Sequence, residues 1–259
     1  MNTLQHLTVS SVVSLASIIC AKLIGEMGCN VWLVVFLALA AGALAGAING
    51  VIICKTRMWP FIVTLAMAEI LSGIASTISS GSPVRVMNET FNLIGTGFLG
   101  PISLPIIYTF VLLIICYILL QKTRTGRNFY AVGGNEEAAR FAGISAFKVR
   151  ILAYILSGLF AAFAGIFLTA RMYTGNPVLG AGMETDAIAA AVVGGASMAG
   201  GKARIFGTLL GAMVIGVISN GMNLLGISSY LQAIAKGIII LFAVYMDILS
   251  TKKLEKSKG

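Results

Sequence analysis

The residues able to do chemistry are few and poorly placed for it. The single histidine, His6, stands at the extreme amino terminus, which excludes a His-based metal site and argues against imidazole general-base catalysis. Cys20, Cys29, Cys54 and Cys116 show no CxxC spacing, and most fall in apolar runs, where cysteine behaves as a small hydrophobe. Gly95-Thr96-Gly97-Phe98-Leu99-Gly100 matches GxGxxG, yet no strand precedes it and no βαβ unit follows. Gly200-Gly201-Lys202 has the look of a phosphate-binding loop, but that loop needs Gly at 196 and Ser or Thr at 203. Ala196 and Ala203 stand there instead. Ser197, between Gly195 and Ala199, has the setting of a buried nucleophile without a base to activate it. Asn88-Glu89-Thr90 fits a glycosylation sequon, which matters only in a eukaryotic secretory pathway. No catalytic residue, metal set or nucleotide site emerges.

The composition explains why. Of 259 residues 58% are hydrophobic and 10% charged, and the mean hydropathy is +0.96. Soluble domains run at about half apolar and a quarter charged, so this chain could not cover its surface for water. It is an integral membrane protein, and an ionisable group inside a span is a functional suspect, because burying it costs about 2.5–3.5 kcal/mol. Glu69 lies midway along one apolar segment and Lys236 one turn into another. Glu69 could line a pathway or pair with Lys236. The plainer reading, which we favour, is that Lys236 snorkels and Glu69 satisfies a neighbouring helix.

Eight apolar segments position these groups, at 7–24, 31–53, 59–80, 103–121, 150–170, 186–199, 205–225 and 230–248. Most approach the ~20 residues needed to cross hydrocarbon. The sixth is short and carries Gly194-Gly195, so it reads as a broken or re-entrant helix, with Glu184-Thr185-Asp186 before it as the cap. No proline interrupts a span, and Pro60 opens the third. Gly42, Gly46 and Gly50, and again Gly207 and Gly211, make smooth faces for close helix approach. Trp32, Trp59, Tyr108, Tyr173, Tyr230 and Tyr245 lie near span ends as interface anchors.

The net charge of +9 follows from topology. One set of loops holds Lys55, Arg57, Lys122, Arg124, Arg127, Arg140, Lys148, Arg150, Lys202, Arg204 and the tail residues Lys252, Lys253, Lys256 and Lys258; the other holds Arg85 and Arg171. The positive-inside rule then puts both termini and the 122–150 loop in the cytoplasm, and no nucleic-acid partner is needed. The expected organisation is one membrane domain over 1–259, with a basic tail at 249–259. Asn49-Gly50 and Asn220-Gly221 each close a small-residue helix, and the two helices run in opposite directions. That is either a weak inverted repeat of the transporter kind or two independently Gly-rich helices.

The 126–150 stretch is the most informative. Gly133-Gly134 breaks the chain, Asn135 can cap a short helix, and Glu136 and Glu137 fall in its first turn with Arg140 near its end, as the dipole favours. Gly143 suits a left-handed stop. Ala138, Phe141 and Ala142 form a small apolar face on about two turns of helix, too short to stand alone in water. Such a helix either packs on its own membrane domain or docks into another protein.

Glu137-Ala138-Ala139 with Gly143 resembles the E-A-A-x-x-x-G element of bacterial ABC-importer permeases, without the I-x-L-P continuation of some families. Thr125-Gly126-Arg127, Ala131-Val132-Gly133-Gly134-Asn135-Glu136 and Arg140-Phe141-Ala142-Gly143-Ile144 resemble the ribose-type sugar ABC permeases. So do Asp186-Ala187-Ile188-Ala189-Ala190, Gly194-Gly195-Ala196-Ser197 with Gly200-Gly201-Lys202, and the run from Asn220 to Tyr230. The likeness covers about residues 12 to 250.

The resemblance implies an all-α polytopic permease of the inverted-repeat importer type in the bacterial inner membrane. It would work with cytoplasmic ATPase subunits that use ATP and Mg, a second permease copy (identical or not), and a periplasmic or extracellular sugar-binding protein. Gly134, Asn135, Glu136, Glu137, Ala138, Ala139, Arg140 and Gly143 would form the ATPase-coupling element. Asn49, Glu69, Asp186, Asn220 and Asn223 are the pathway candidates; the three asparagines could bond sugar hydroxyls or simply bridge helices. Family members usually carry two further spans and a Gly-Ile-Asp-Leu-Ser-Val-Gly-Ser stretch, where this chain has Gln5-His6-Leu7-Thr8-Val9-Ser10-Ser11. Two other readings accompany this one: an ion-coupled secondary transporter with inverted repeats, and a truncated permease fragment that does not transport.

Overall fold

Long apolar runs free of interior proline have one backbone solution in hydrocarbon, a helix that satisfies its own N–H and C=O groups. The computed structural model describes residues 8–56, 58–197 and 200–256, with side chains as far as Tyr245, and its long apolar runs follow that solution. The expectations placed on Gln5, His6, Leu7, Arg57, Ala199 and Lys258 lie outside the described residues, as do the side chains of the other tail lysines.

The spans are α1 (Val9–Cys20, continued by a π-helical stretch Ala21–Glu26), α2 (Val31–Thr56), α3 (Pro60–Ser79), α5 (Leu104–Tyr117, continued by Ile118–Lys122), α8 (Ala146–Met172) and α10 (Ile205–Leu224). These six are long and apolar enough to cross a membrane. α11 (Ser229–Lys256) has a shorter apolar part, Ser229–Tyr245. The sixth apolar segment becomes α9, Met183–Val193, which begins and ends earlier than its apolar run. Its 11 residues reach about 16 Å at ~1.5 Å per residue, roughly half of a ~30 Å hydrocarbon core. The eight expected segments therefore resolve into six full spans, α11 and a half-span.

Two helices depart from expectation. α4 (Glu89–Thr96) lies where only a sequon and a loop were read; Asn88 caps it, its Oδ1 accepting from the Phe91 N–H at 3.1 Å, and Phe91 is wholly buried. α6 (Arg124–Gly134) occupies the first half of the 122–150 loop; Thr123 Oγ1 accepts from the Gly126 N–H at 3.2 Å, and Val132 is buried on one side. Among the described residues there are also four two-residue strands: β1 (Val84–Arg85) pairs antiparallel with β4 (Thr174–Gly175), and β2 (Phe98–Leu99) with β3 (Ile102–Ser103). The GxGxxG run is thus the end of α4 followed by a hairpin, with no βαβ unit.

The chain divides into two compact units. The first holds the described residues of 8–122 and 145–184, with α1 at its centre: Val12, Val13, Ala16, Ile18 and Cys20 are all buried. α2 meets α8 backbone to backbone. A Cβ on Gly158 would fall 2.1 Å from the Gly42 carbonyl oxygen, and one on Gly46 2.1 Å from that of Tyr154. The second unit holds the described residues of 123–144 and 185–256. In it α9 and α10 meet in the same way, a Cβ on Gly207 falling 2.0 Å from the Gly194 oxygen and one on Gly211 2.1 Å from the Ala190 oxygen. Both expected glycine faces are therefore contact faces.

Candidate functional site

The short helix expected to serve as a coupling element is built as its residue types dictate. α7 (Glu136–Phe141) is six residues long and starts at Asn135, whose Oδ1 accepts from the Ala138 N–H at 3.0 Å. Glu136 and Glu137 fill the first turn and Arg140 the last, each sign matching the end of the dipole it faces. At the other end Gly143 takes φ +80°. The Gly143 N–H bonds the Arg140 carbonyl and the Ile144 N–H that of Ala139, both at 3.0 Å, the two bonds of a Schellman stop. Ala139 is buried, while Ala138 and Ala142 are exposed and Phe141 is 91% exposed. A helix that cannot persist alone is fixed at both ends and presents a bare aromatic ring.

A second contact ties this element to the turn after α9. Gly134, the residue before the cap, lies against Gly201, whose φ of +73° only glycine takes easily. A Cβ on Gly201 would lie 2.7 Å from the Gly134 Cα. The Tyr130 hydroxyl, on α6, donates to the Ala203 carbonyl at 3.4 Å, and burial pushes its pKa above the ordinary value. Across this turn the Ser197 N–H bonds the Lys202 carbonyl at 3.0 Å. α9 also ends in a Schellman stop: Gly195 takes φ +82°, and the Gly195 N–H bonds the Val192 carbonyl and the Ala196 N–H that of Ala191, both at 2.9 Å. The Gly-Gly pairs at 133–134 and 200–201, which resemble family motifs in sequence, are one contact in space.

The polar pathway candidates sort into three situations. On α11, Gln232 and Lys236 stand one turn apart and hold two other helices. Gln232 Nε2 donates to Asn223 Oδ1 and to the Ile227 carbonyl, both at 2.8 Å, closing the α10–α11 turn around Gly226. Lys236 Nζ lies 2.8 Å from Asp186 Oδ1 and 2.9 Å from Oδ2. Lys236 therefore neither pairs with Glu69 nor simply snorkels. Glu184, Thr185 and Asp186 lie inside the first turn of α9 rather than before it, because the helix starts at Met183; Asp186 acts as the ionic tie to α11.

Asn49 is buried at 1% exposure, its Nδ2 donating to Thr8 Oγ1 at 3.2 Å, while its buried Oδ1 has no partner among the described residues. Glu69 is exposed on the outer face of α3, among Leu65, Ile70 and Ile74. It therefore does not satisfy a neighbouring helix of its own unit. Asn220 is exposed near the end of α10. In the first unit, then, Asn49 faces inward and Glu69 outward, and they do not share a site.

A serine ladder on α1 escaped the sequence reading. Ser17 Oγ accepts from Thr169 Oγ1 at 2.7 Å and from the Asn176 N–H at 3.2 Å, and Ser14 Oγ accepts from the Gly180 N–H at 3.1 Å. Ser11, Ser14 and Ser17 recur at three-residue steps and are all buried. That spacing within an apolar helix was the available signal.

Residues 5–244 match the family described as branched-chain amino acid transport system / permease component. The chain is 43% identical over 245 residues to the ribose import permease protein RbsC of Escherichia coli strain K12, covering 93% of this chain and 76% of that protein. It is 42% identical over 243 residues to RbsC of Bacillus subtilis strain 168, covering 93% and 75%. To the L-arabinose transport system permease protein AraH of Escherichia coli strain K12 it is 40% identical over 241 residues, covering 93% and 73%. No solved structure matches.

Proposed function

Because the chain belongs to the family of transport-system permease components, a transport subunit rather than an enzyme, we propose that it forms the membrane pathway of an ATP-binding-cassette importer for a pentose-like sugar. The family description names branched-chain amino acids, but the relatives near 40% identity are named for ribose and arabinose, and that favours the sugar. A multi-pass membrane protein with its basic loops and both termini in the cytoplasm accords with the lysine and arginine distribution.

The observation that carries the reading is α7, capped at both ends and offering Phe141 at 91% exposure. In this reading a cytoplasmic ATPase subunit receives α7 and supplies the nucleotide and Mg chemistry, since this chain has Ala196 and Ala203 where a phosphate loop needs Gly and Ser or Thr. A second permease copy completes the pathway, and an external binding protein delivers the sugar. Movement of α7 is passed through Gly134 to Gly201, and so to the turn that ends α9. Asp186, held by Lys236, keeps the start of that half-helix in place. Of the pathway candidates, Asn49 is sealed inside its unit and Glu69 faces outward, so the exposed Asn220 on α10 is the residue left to meet the sugar or the water around it.

The test is co-purification with the cognate ATPase, followed by uptake in proteoliposomes. Wild type retains the ATPase. Phe141→Ala weakens the complex by about 2 kcal/mol, roughly thirty-fold, as expected for an aromatic anchor. Gly143→Pro, which cannot take a positive φ, abolishes it with thermal unfolding otherwise unchanged. ATP-dependent uptake of ribose or arabinose, without competition from leucine, supports the sugar assignment. Failure of wild type to hold any ATPase overturns the reading, and uptake driven by an ion gradient alone would favour a secondary transporter.

A further inference from the structure

The crevice between α5 and α8 in the first unit plays no part in the coupling described above. It encloses about 320 Å³, within the ~300–1,000 Å³ typical of small-ligand clefts. On α8, Phe163, Phe167 and Arg171 recur at four-residue steps and line one wall; Ile106, Tyr108 and Thr109 of α5 line the other. The Tyr108 ring meets Phe163 edge-on with centroids 6.3 Å apart. The result is an aromatic slot with one cation at its end, on the penultimate residue of α8. Ile106 and Phe110 on the same span are at least half exposed, so the slot opens on the surface that the span offers to the bilayer.

Arg171 is exposed and has no acidic or hydrogen-bonding partner among the described residues. Its place at the carboxyl end of α8 suits the helix dipole, but that leaves the donors of the guanidinium open. A planar fork of N–H donors selects a carboxylate or a phosphate. At the edge of a bilayer, the anion attached to a chain that fits an apolar slot is the phosphate of a phospholipid.

We propose that the α5–α8 crevice is a phospholipid site: an acyl chain lies along Phe163 and Phe167, and the phosphate accepts from the Arg171 guanidinium. The phosphate, not the headgroup beyond it, is the recognised group, so phosphatidylglycerol and phosphatidylethanolamine both bind and a diacylglycerol with the same chains does not.

Native mass spectrometry of the full chain, purified in mild detergent and supplied with each of these three lipids in turn, tests this. Wild type retains one phospholipid per copy and no diacylglycerol. Arg171→Gln lowers retention by about tenfold or more, the loss expected for a charge-assisted hydrogen bond. Ala164→Trp, which fills the slot from α8, does the same, and both variants keep the wild-type elution volume and unfolding temperature. Absence of retained phospholipid, retention untouched by both substitutions, or equal retention of diacylglycerol overturns the proposal. So does loss of dimers in Ala164→Trp with lipid retention intact, which would assign the crevice to a second copy of the chain.

Discussion

At Asn135 a single amide oxygen sets the start of α7, and with only six residues behind it the helix has no spare turns to lose. Asn135→Ala removes about 1 kcal/mol of capping, so hydrogen exchange of the 136–142 amides should quicken roughly five-fold while α8 amides keep their protection. Asp186 and Lys236 call for a different test, because removing either charge leaves the other in an apolar setting. Each single change, Asp186→Lys or Lys236→Asp, should lose uptake, and the double exchange should recover it. The coupling between them should be about 0.5–3 kcal/mol in a double-mutant cycle on thermal unfolding; strictly additive effects would remove the tie between α9 and α11. Asn135 and Gly143 were legible in the sequence because caps are local, decided by residues within a few positions. The partner of Lys236 was not, since spacing along the chain says nothing of which helix lies alongside. Ser14 and Ser17 were missed for the same reason: the N–H groups they accept from lie 166 and 159 residues away.

Among the elements, glycine separates two kinds of helix face. Gly158→Ala drives a Cβ into the Gly42 carbonyl region of α2, where backbone stands and nothing can rotate aside. It should destabilise by about 1–3 kcal/mol. Gly73→Ala on α3 meets nothing within 4 Å and should instead stabilise by about 0.5–1 kcal/mol through helix propensity. Differential scanning measurements on both proteins check the contrast, and a neutral Gly158→Ala would contradict the backbone contact. The long spans were legible because apolar length leaves no other backbone choice. α4 and α6 were not, because their signals are a side-chain cap and one buried face, set among Gly97, Gly126, Gly133 and Gly134, residues that ordinarily read as turns.

For the whole molecule, the division into two units means that the α7 residues and the buried Asn49 belong to different bodies, although the chain runs from Phe141 to Ala146 across only 142–145. Composition and charge foretold a multi-pass membrane protein, and the family motifs foretold its class; neither carries the division, which depends on contacts between distant segments. The glycine contact of α2 with α8 has a mechanical consequence. Side chains at a helix interface can change rotamer and let two helices creep past one another; two backbones in contact have no such play. α2 and α8 therefore act as one beam, which passes on a push undiminished.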